Sequence, residues 1–429
     1  MSISQTRRSF IRTLAAGIGA PVSTQLLELE EAFAGELADA SELGTLPHPF
    51  QGMRDRYLLD PTVTFLNHAS IGTVPRAVHS AGMRYREICE ENPWLYIWGG
   101  AWEEALGGVR KASSFLLGCQ ASDVAITHNT TEGFNLLAQG LPLGPGDEIL
   151  FSTLNHTGAS ICWEHMATPK GYAVRRFEFP LRDVPGMSAE EVVQAHAEQI
   201  RDETRVLVFP HVDNIVGLRH PMARLNAMAK KRGVDYVLVD GAQSAGMIPL
   251  EVEESGVDAF STSPHKWIQS PKGLGLLYIR DELLQELRPM WVTWGQARWQ
   301  GTARIYEDYG TRDLPEVLAL GSALDFQSAL GESRKVGGYR EMFGWLKEAV
   351  AGTPGLVWRS PSSWDRGASL VSVEVPGRAV GPLAESLFRE QGVVLRAFPQ
   401  TGLNSLRISP NLMNTHEEVL RLVEILEGP

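Results

Sequence analysis

Short apolar runs alternate with amphipathic stretches along most of the chain, and the apolar runs tend to end in polar residues. Val124–Thr127, Glu148–Ser152, Leu207–Phe209, Val237–Val239 and Val257–Thr262 are too short for helices and read as buried strands. Gly273–Ile279, with small residues at its entry, reads as a further strand. Between them, helical spacing appears at roughly 76–91 and roughly 100–117, over Phe134–Gln139, and over Pro221–Arg232, which carries proline near its start. This alternation predicts βαβ units and a mostly parallel sheet, an α/β large domain over 46–290. From 291 to 429 the pattern changes. Helices over Leu314–Leu330 and roughly over 333–351, 380–391 and 415–427 mix with strands near 369–375, 393–396 and 405–409, a smaller α+β domain.

Ligands in such sheets bind at the carboxyl ends of the strands. The Val237–Val239 run ends in Asp240, and the next ends in Ser263-Pro264-His265-Lys266. Asp240 and Lys266 are therefore expected to face one crevice. A lysine amine condenses with an aldehyde, and a carboxylate beside a pyridine nitrogen keeps that nitrogen protonated. Pyridoxal 5′-phosphate needs that pair. Read singly, Lys266 is an ordinary lysine after a strand and Asp240 a turn or helix cap. With Gln243, Ser263 and His265 beside them, the group reads as a cofactor site.

Composition narrows the partners. The 429 residues leave room for two domains, and 39 Lys+Arg against 51 Asp+Glu give a net charge of −12. An acidic chain without a basic tract argues against nucleic acid and anionic membrane. No run is long and apolar enough to span a bilayer once the leader is set aside. Cys89, Cys119 and Cys162 have neither metal-ligand spacing nor a disulfide framework. At the N-terminus, Thr6-Arg7-Arg8-Ser9-Phe10 precedes an apolar segment, and Ala32-Phe33-Ala34 offers a cleavage site. Residues 1–45 read as a twin-arginine leader and linker, which predicts periplasmic or secreted export. Glu28, Glu30 and Glu31 fit a leader poorly, so a cytoplasmic location is the alternative.

The strings VDGAQS and S-P-H-K resemble the cofactor-lysine region of the class V aminotransferase family, fold type I pyridoxal-phosphate enzymes. Matching pieces run from about Phe65 to the C-terminus. The resemblance implies Lys266 as the Schiff-base lysine, Asp240 beside the ring nitrogen, and Gln243 on the phenolic oxygen. Ser263, His265, Thr130 and Thr131 would hold phosphate, the two threonines at a helix start where backbone N–H groups favour an anion. His156 would stack on the ring and Asn214 would contact cofactor or substrate. Arg407, in an R-x-S string, would bind the α-carboxylate, with Asn67 near the substrate. Taken alone, the threonines are a helix cap, His156 a structural loop histidine, and Arg407 a solvated strand residue. Asp213, where the family has serine, reads as a turn residue.

The string G-T-R-D at 310–313 resembles the epimerase-like branch, and there Thr311 would reach a neighbouring subunit's phosphate, implying a homodimer with a composite site. Residues 392–404 contain no cysteine, which argues against the persulfide chemistry of desulfurases. The expected activity is epimerisation at Cα of an amino acid, with C–S lysis or β-elimination and transamination as alternatives. A binding protein that keeps the fold without turnover is the reading from another class.

Overall fold

The computed structural model describes residues 52–399 and 402–427. The expected leader and its cleavage site lie outside the described residues. Seven strands form the central sheet: β1 (Val124–Thr127), β2 (Glu148–Ser152), β3 (Ala173–Phe177), β4 (Thr204–Pro210), β5 (Tyr236–Asp240), β6 (Ala259–Thr262) and β7 (Gly275–Ile279). Their spatial order is β1-β7-β6-β5-β4-β2-β3. The pairs from β6 through β3 are all parallel, whereas β7 runs antiparallel to both β6 and β1. The strand at Gly273–Ile279 is thus an internal reversed strand.

The interior strands are buried along nearly their whole length because helices cover both faces. One strand escapes the sequence pattern: β3 reads Ala-Val-Arg-Arg-Phe and lies at the sheet edge. Charge on an edge strand discourages pairing with other chains, which explains its polar character. The helices Thr157–Lys170 and Ala189–Ala197 also go unpredicted. The first is apolar on no single face and contains Pro169; the second is short but carries a capping box from Ser188 to Glu191.

The smaller sheet contains β8 (Val357–Trp358), β9 (Val371–Glu374), β10 (Arg396–Phe398) and β11 (Ser405–Ile408), in the antiparallel order β10-β11-β9-β8. The N-terminal segment belongs to both regions. Thr64–Phe65 pairs in parallel with Val393–Val394, and the amide of Gly72 donates to the His265 carbonyl at 2.9 Å. A Cβ on Gly72 would stand 2.3 Å from the Lys266 carbonyl oxygen. Only glycine lets this segment lie on the backbone that carries Lys266.

Residues 303–330, expected with the C-terminal domain, pack on the large sheet's own helices. Helix Leu314–Leu330 lies against Arg76–Glu91 and Glu103–Leu117. Ahead of it, buried Glu307 takes two hydrogen bonds from Arg110, at 2.8 and 2.7 Å, and one from the Ile126 amide of β1 at 2.7 Å. Burial alone would raise the Glu307 pKa, but the charges of Arg110 and Arg312 and these bonds outweigh it and hold the carboxyl below its ordinary value. A folded-state pKa below the unfolded one adds stability that is present at neutral pH and lost as pH falls through the folded value. Glu307→Gln leaves Arg110 buried and unneutralised. It is expected to cost about 3–5 kcal/mol, read as a lower midpoint in urea at pH 7, with a smaller difference from wild type in acid.

Candidate active site

The carboxyl ends of β2, β4, β5 and β6 open into a cavity of about 750 Å³. Asp240 ends β5, and its Oδ1 accepts the Ala242 amide at 2.9 Å. Lys266 follows β6 in a tight turn closed by its own amide on the Ser263 carbonyl, 3.2 Å away. Both side chains line the cavity, yet among the described residues they form no direct ion pair. Burial pushes the Lys266 amine down to about 8; Asp240 pulls it up and Arg407 lowers it further. A carboxylate that is felt but not touched leaves space between the two groups.

The turn carrying Lys266 is held from behind. Gln269 is buried and, at φ 63°, adopts a left-handed backbone that non-glycine residues seldom take. Its Oε1 accepts from the Tyr57 hydroxyl at 3.0 Å and from Gln327 Nε2 at 3.2 Å, and Gln327 Nε2 also donates to the Ile268 carbonyl at 3.1 Å. Sequence reasoning missed this group, because nothing local marks Gln327 as a partner of residues so far away in the chain.

One wall is the start of helix Thr130–Gly140, capped by Asn129, which accepts the Glu132 amide. Ser263 Oγ accepts the Thr130 amide at 2.9 Å and lies 2.7 Å from Thr130 Oγ1. Thr131 and His265 line the same corner. Burial pushes the His265 imidazole down to about 4, helped by the charges of Lys266 and Lys272, and its Nδ1 is buried without a partner. A helix start, three hydroxyls and a neutral imidazole make an anion cradle.

His156 caps helix Thr157–Lys170 with its Nδ1 accepting the Gly158 amide at 3.1 Å, which fixes the ring at the cavity wall. Burial is the main cause of its lowered pKa. Asn155 beside it is buried, and both polar atoms of its side chain lack partners. Gln243 is also fixed: its Nε2 donates to the Ala69 carbonyl and its Oε1 accepts from Trp267 Nε1, each at 2.8 Å.

Opposite lies Arg407 on β11, almost wholly buried. Its Nη1 donates to the Asn214 carbonyl and its Nη2 to Asn67 Oδ1, each at 2.9 Å, and Nη2 also meets the Ser70 hydroxyl. Its Nε has no partner. Burial and the neighbouring Arg396 lower its proton affinity, yet a guanidinium stays charged across ordinary pH. A buried cation without a carboxylate partner is a waiting anion site. Asp213 does the turn work expected of it, accepting the amides of Ile215 and Val216 at 2.7 and 2.8 Å and so presenting the Asn214 carbonyl.

Asn67 stands apart from its expected place, and Thr311, expected to serve a neighbouring subunit, lies outside this chain's own cavity. Asn67 orients Arg407 from behind instead of lining the cavity. Thr311 lies in a second cavity, of about 490 Å³, among Trp98, Trp294 and Trp299. Ser70, Arg396 and Phe398 line the first cavity without having been singled out in the sequence. The period-2 pattern of β10 was the available signal for the last two.

The donor set fits pyridoxal 5′-phosphate. The orphaned His265 Nδ1 and the helix start suit the phosphate; the gap between Lys266 and Asp240 suits a ring flanked by amine and carboxylate. No cluster suited to a metal ion occurs among the described residues, nor any helix long and apolar enough to cross a membrane.

Comparison with known proteins agrees with this fit. The isopenicillin N epimerase of Amycolatopsis lactamdurans is 32% identical over 390 residues, covering 87% of this chain and 97% of that protein. A cysteine desulfurase of Salmonella typhimurium is 29% identical over 354 residues, 75% of this chain and 81% of that protein. Among solved structures, a cystine C–S lyase in complex with cysteine persulfide superposes with a TM-score of 0.78 at 24% identity, covering 89% of this chain and all of that one, and so shares the fold. The family model for class V aminotransferases matches residues 65–422, and the chain belongs to that family of pyridoxal-phosphate-dependent enzymes.

Proposed function

We propose that this enzyme removes the Cα proton of an amino acid or amino-acid derivative and lets a solvent-derived proton add on the opposite face, an epimerisation of the kind named for the isopenicillin N epimerases it resembles. One observation carries the reading: the Lys266 amine, the Asp240 carboxylate and the unpaired Arg407 guanidinium share one cavity. When bound, pyridoxal phosphate supplies an aldehyde for imine formation and a ring that draws electrons from Cα. The chain supplies the rest. Thr130, Thr131, Ser263 and His265 hold the phosphate, and Asp240 keeps a proton on the ring nitrogen. Gln243, fixed by Trp267 and Ala69, offers its remaining amide hydrogen to the phenolic oxygen. Arg407 grips the α-carboxylate through its free Nε and one Nη, and so sets which bond at Cα faces Lys266. The Lys266 amine, whose proton affinity burial pushes down to about 8, takes the proton in its neutral form.

A second reading, elimination of a β-substituent as in a C–S lyase, has an observation of its own. His156 is pinned at the cavity wall, and an imidazole stacked on the ring would cover the face from which a second proton must come. Persulfide formation is the reading with least support. Cys89, Cys119 and Cys162 all lie away from the cavity, and burial pushes the Cys119 and Cys162 thiols up to about 12. A homodimer is part of the proposal: Trp94 and Trp294, 73% and 79% exposed, are large apolar groups near the Thr311 cavity that a second copy would cover.

Purified protein loaded with pyridoxal phosphate should show a visible band that borohydride abolishes, with the mass of the reduced adduct on the Lys266 peptide. Lys266→Ala should lack the band, and a colourless wild-type protein refutes the proposal. In deuterated water, deuterium at Cα with loss of optical purity supports epimerisation, whereas release of an α-keto acid and ammonia supports elimination. Cofactor uptake by the apo-protein requires the neutral amine. Its rate should therefore rise with pH through about 8 and level off above. Asp240→Asn removes the charge that holds the proton, so the rise should move to lower pH in stopped-flow absorbance.

A further inference from the structure

Arg396 and Arg407 are direct cross-strand partners in the antiparallel pair of β10 and β11. Side chains directly opposite in such a pair project from the same face, and like charges there destabilise the sheet. Both guanidinium groups line the Lys266 cavity, and both approach the Phe398 ring, at 5.7 and 5.4 Å from its centroid. Among the described residues neither has a carboxylate partner, and the side chain of Arg396 makes no hydrogen bond. Among the described residues only the buried Asp213, which is bonded to neither guanidinium, acts against the repulsion, and it does so at Arg407. The cavity's two carboxylates do not pair with them either: Asp240 lies by the Lys266 turn and acts on that amine, and Glu178 forms no ion pair with either arginine among the described residues.

One α-carboxylate satisfies Arg407, whose Nε is the free donor. That leaves Arg396, exposed at the outer part of the cavity, with an unmet charge. We propose that Arg396 is a specificity residue that binds a second carboxylate on the substrate, so that the enzyme takes amino acids whose side chain ends in an anion. The proposal rests on the cavity being the site of amino-acid chemistry and names the substrate class of that site.

The test uses the cofactor-loaded enzyme and matched pairs: aspartate, glutamate and 2-aminoadipate, each against its side-chain amide. Dissociation constants come from the change in the visible band and independently from calorimetry, so that turnover is not the only readout. At least one acid is expected to bind about tenfold or more tightly than its amide, since a charge-assisted bidentate bond replaces a neutral one. In Arg396→Gln that acid-to-amide ratio should fall to near one, and Arg396→Lys should restore part of it. Raising salt should weaken the wild-type preference, because the mouth is open to solvent. Equal binding of every acid and its amide overturns the proposal, as does Arg396→Gln leaving the ratio intact. A protein that develops no visible band with pyridoxal phosphate fails at the earlier step, and that outcome is distinguishable because it appears before any amino acid is added.

Discussion

Burial favours the neutral form of a lysine, and a nearby carboxylate favours the charged form. Lys266 experiences both, with burial the stronger, and the balance holds only while Asp240 stays at a distance. Direct contact would make a stable ion pair and a poor nucleophile. The separation follows from the sheet. β5 and β6 are parallel neighbours, so their carboxyl ends emerge side by side, but Lys266 lies four residues past the end of its strand and Asp240 at the end of its own. The extra turn carries the amine out over the cavity, whereas the carboxylate stays at the sheet edge. Every other feature of the site is arranged about that gap.

The turn that creates the gap is costly, and its cost explains some distant contacts. A non-glycine residue with positive φ carries about 1–3 kcal/mol of strain unless its surroundings hold it. Gln269 is held by Tyr57 from the N-terminal segment and by Gln327 from helix Leu314–Leu330. Gln327 is itself fixed by the buried Lys335 amine at 3.0 Å. Gly72 presses on the other side of the same turn. Residues from well-separated parts of the chain thus converge on the backbone next to Lys266, which is the condition for holding a reacting amine in one place.

This also marks what a sequence can disclose. Helix Leu314–Leu330 appears with the bounds read from its pattern, and the strand ends bearing Asp240 and Lys266 follow from short apolar runs closed by polar residues. Those are local signals. The helix starts at Thr130, at the polar turn read as its opening, while the apolar spacing begins only at Phe134 because the first turn serves the cavity instead of the core. The packing of residues 303–330 on the large sheet depends on Glu307 meeting Arg110 across the fold, and no periodicity encodes that. The same holds for Thr311. The motif that carries it is legible, but its distance from the Lys266 cavity within one chain emerges only in three dimensions.

Arg407 and Lys266 come from different parts of the structure, yet both face one cavity, and in the proposed reaction their mutual position sets which bond at Cα is broken. The N-terminal segment ties them together. Leu66 donates to the Val394 carbonyl at 2.8 Å, Asn67 accepts from Arg407, and Gly72 donates to the His265 carbonyl. Within a few residues one strand of chain is therefore bonded to the small sheet's neighbourhood, to the buried arginine and to the lysine turn. The Asn67 side chain, first expected to touch substrate, matters through that linkage: it fixes the angle of the guanidinium with respect to a backbone that also fixes the amine.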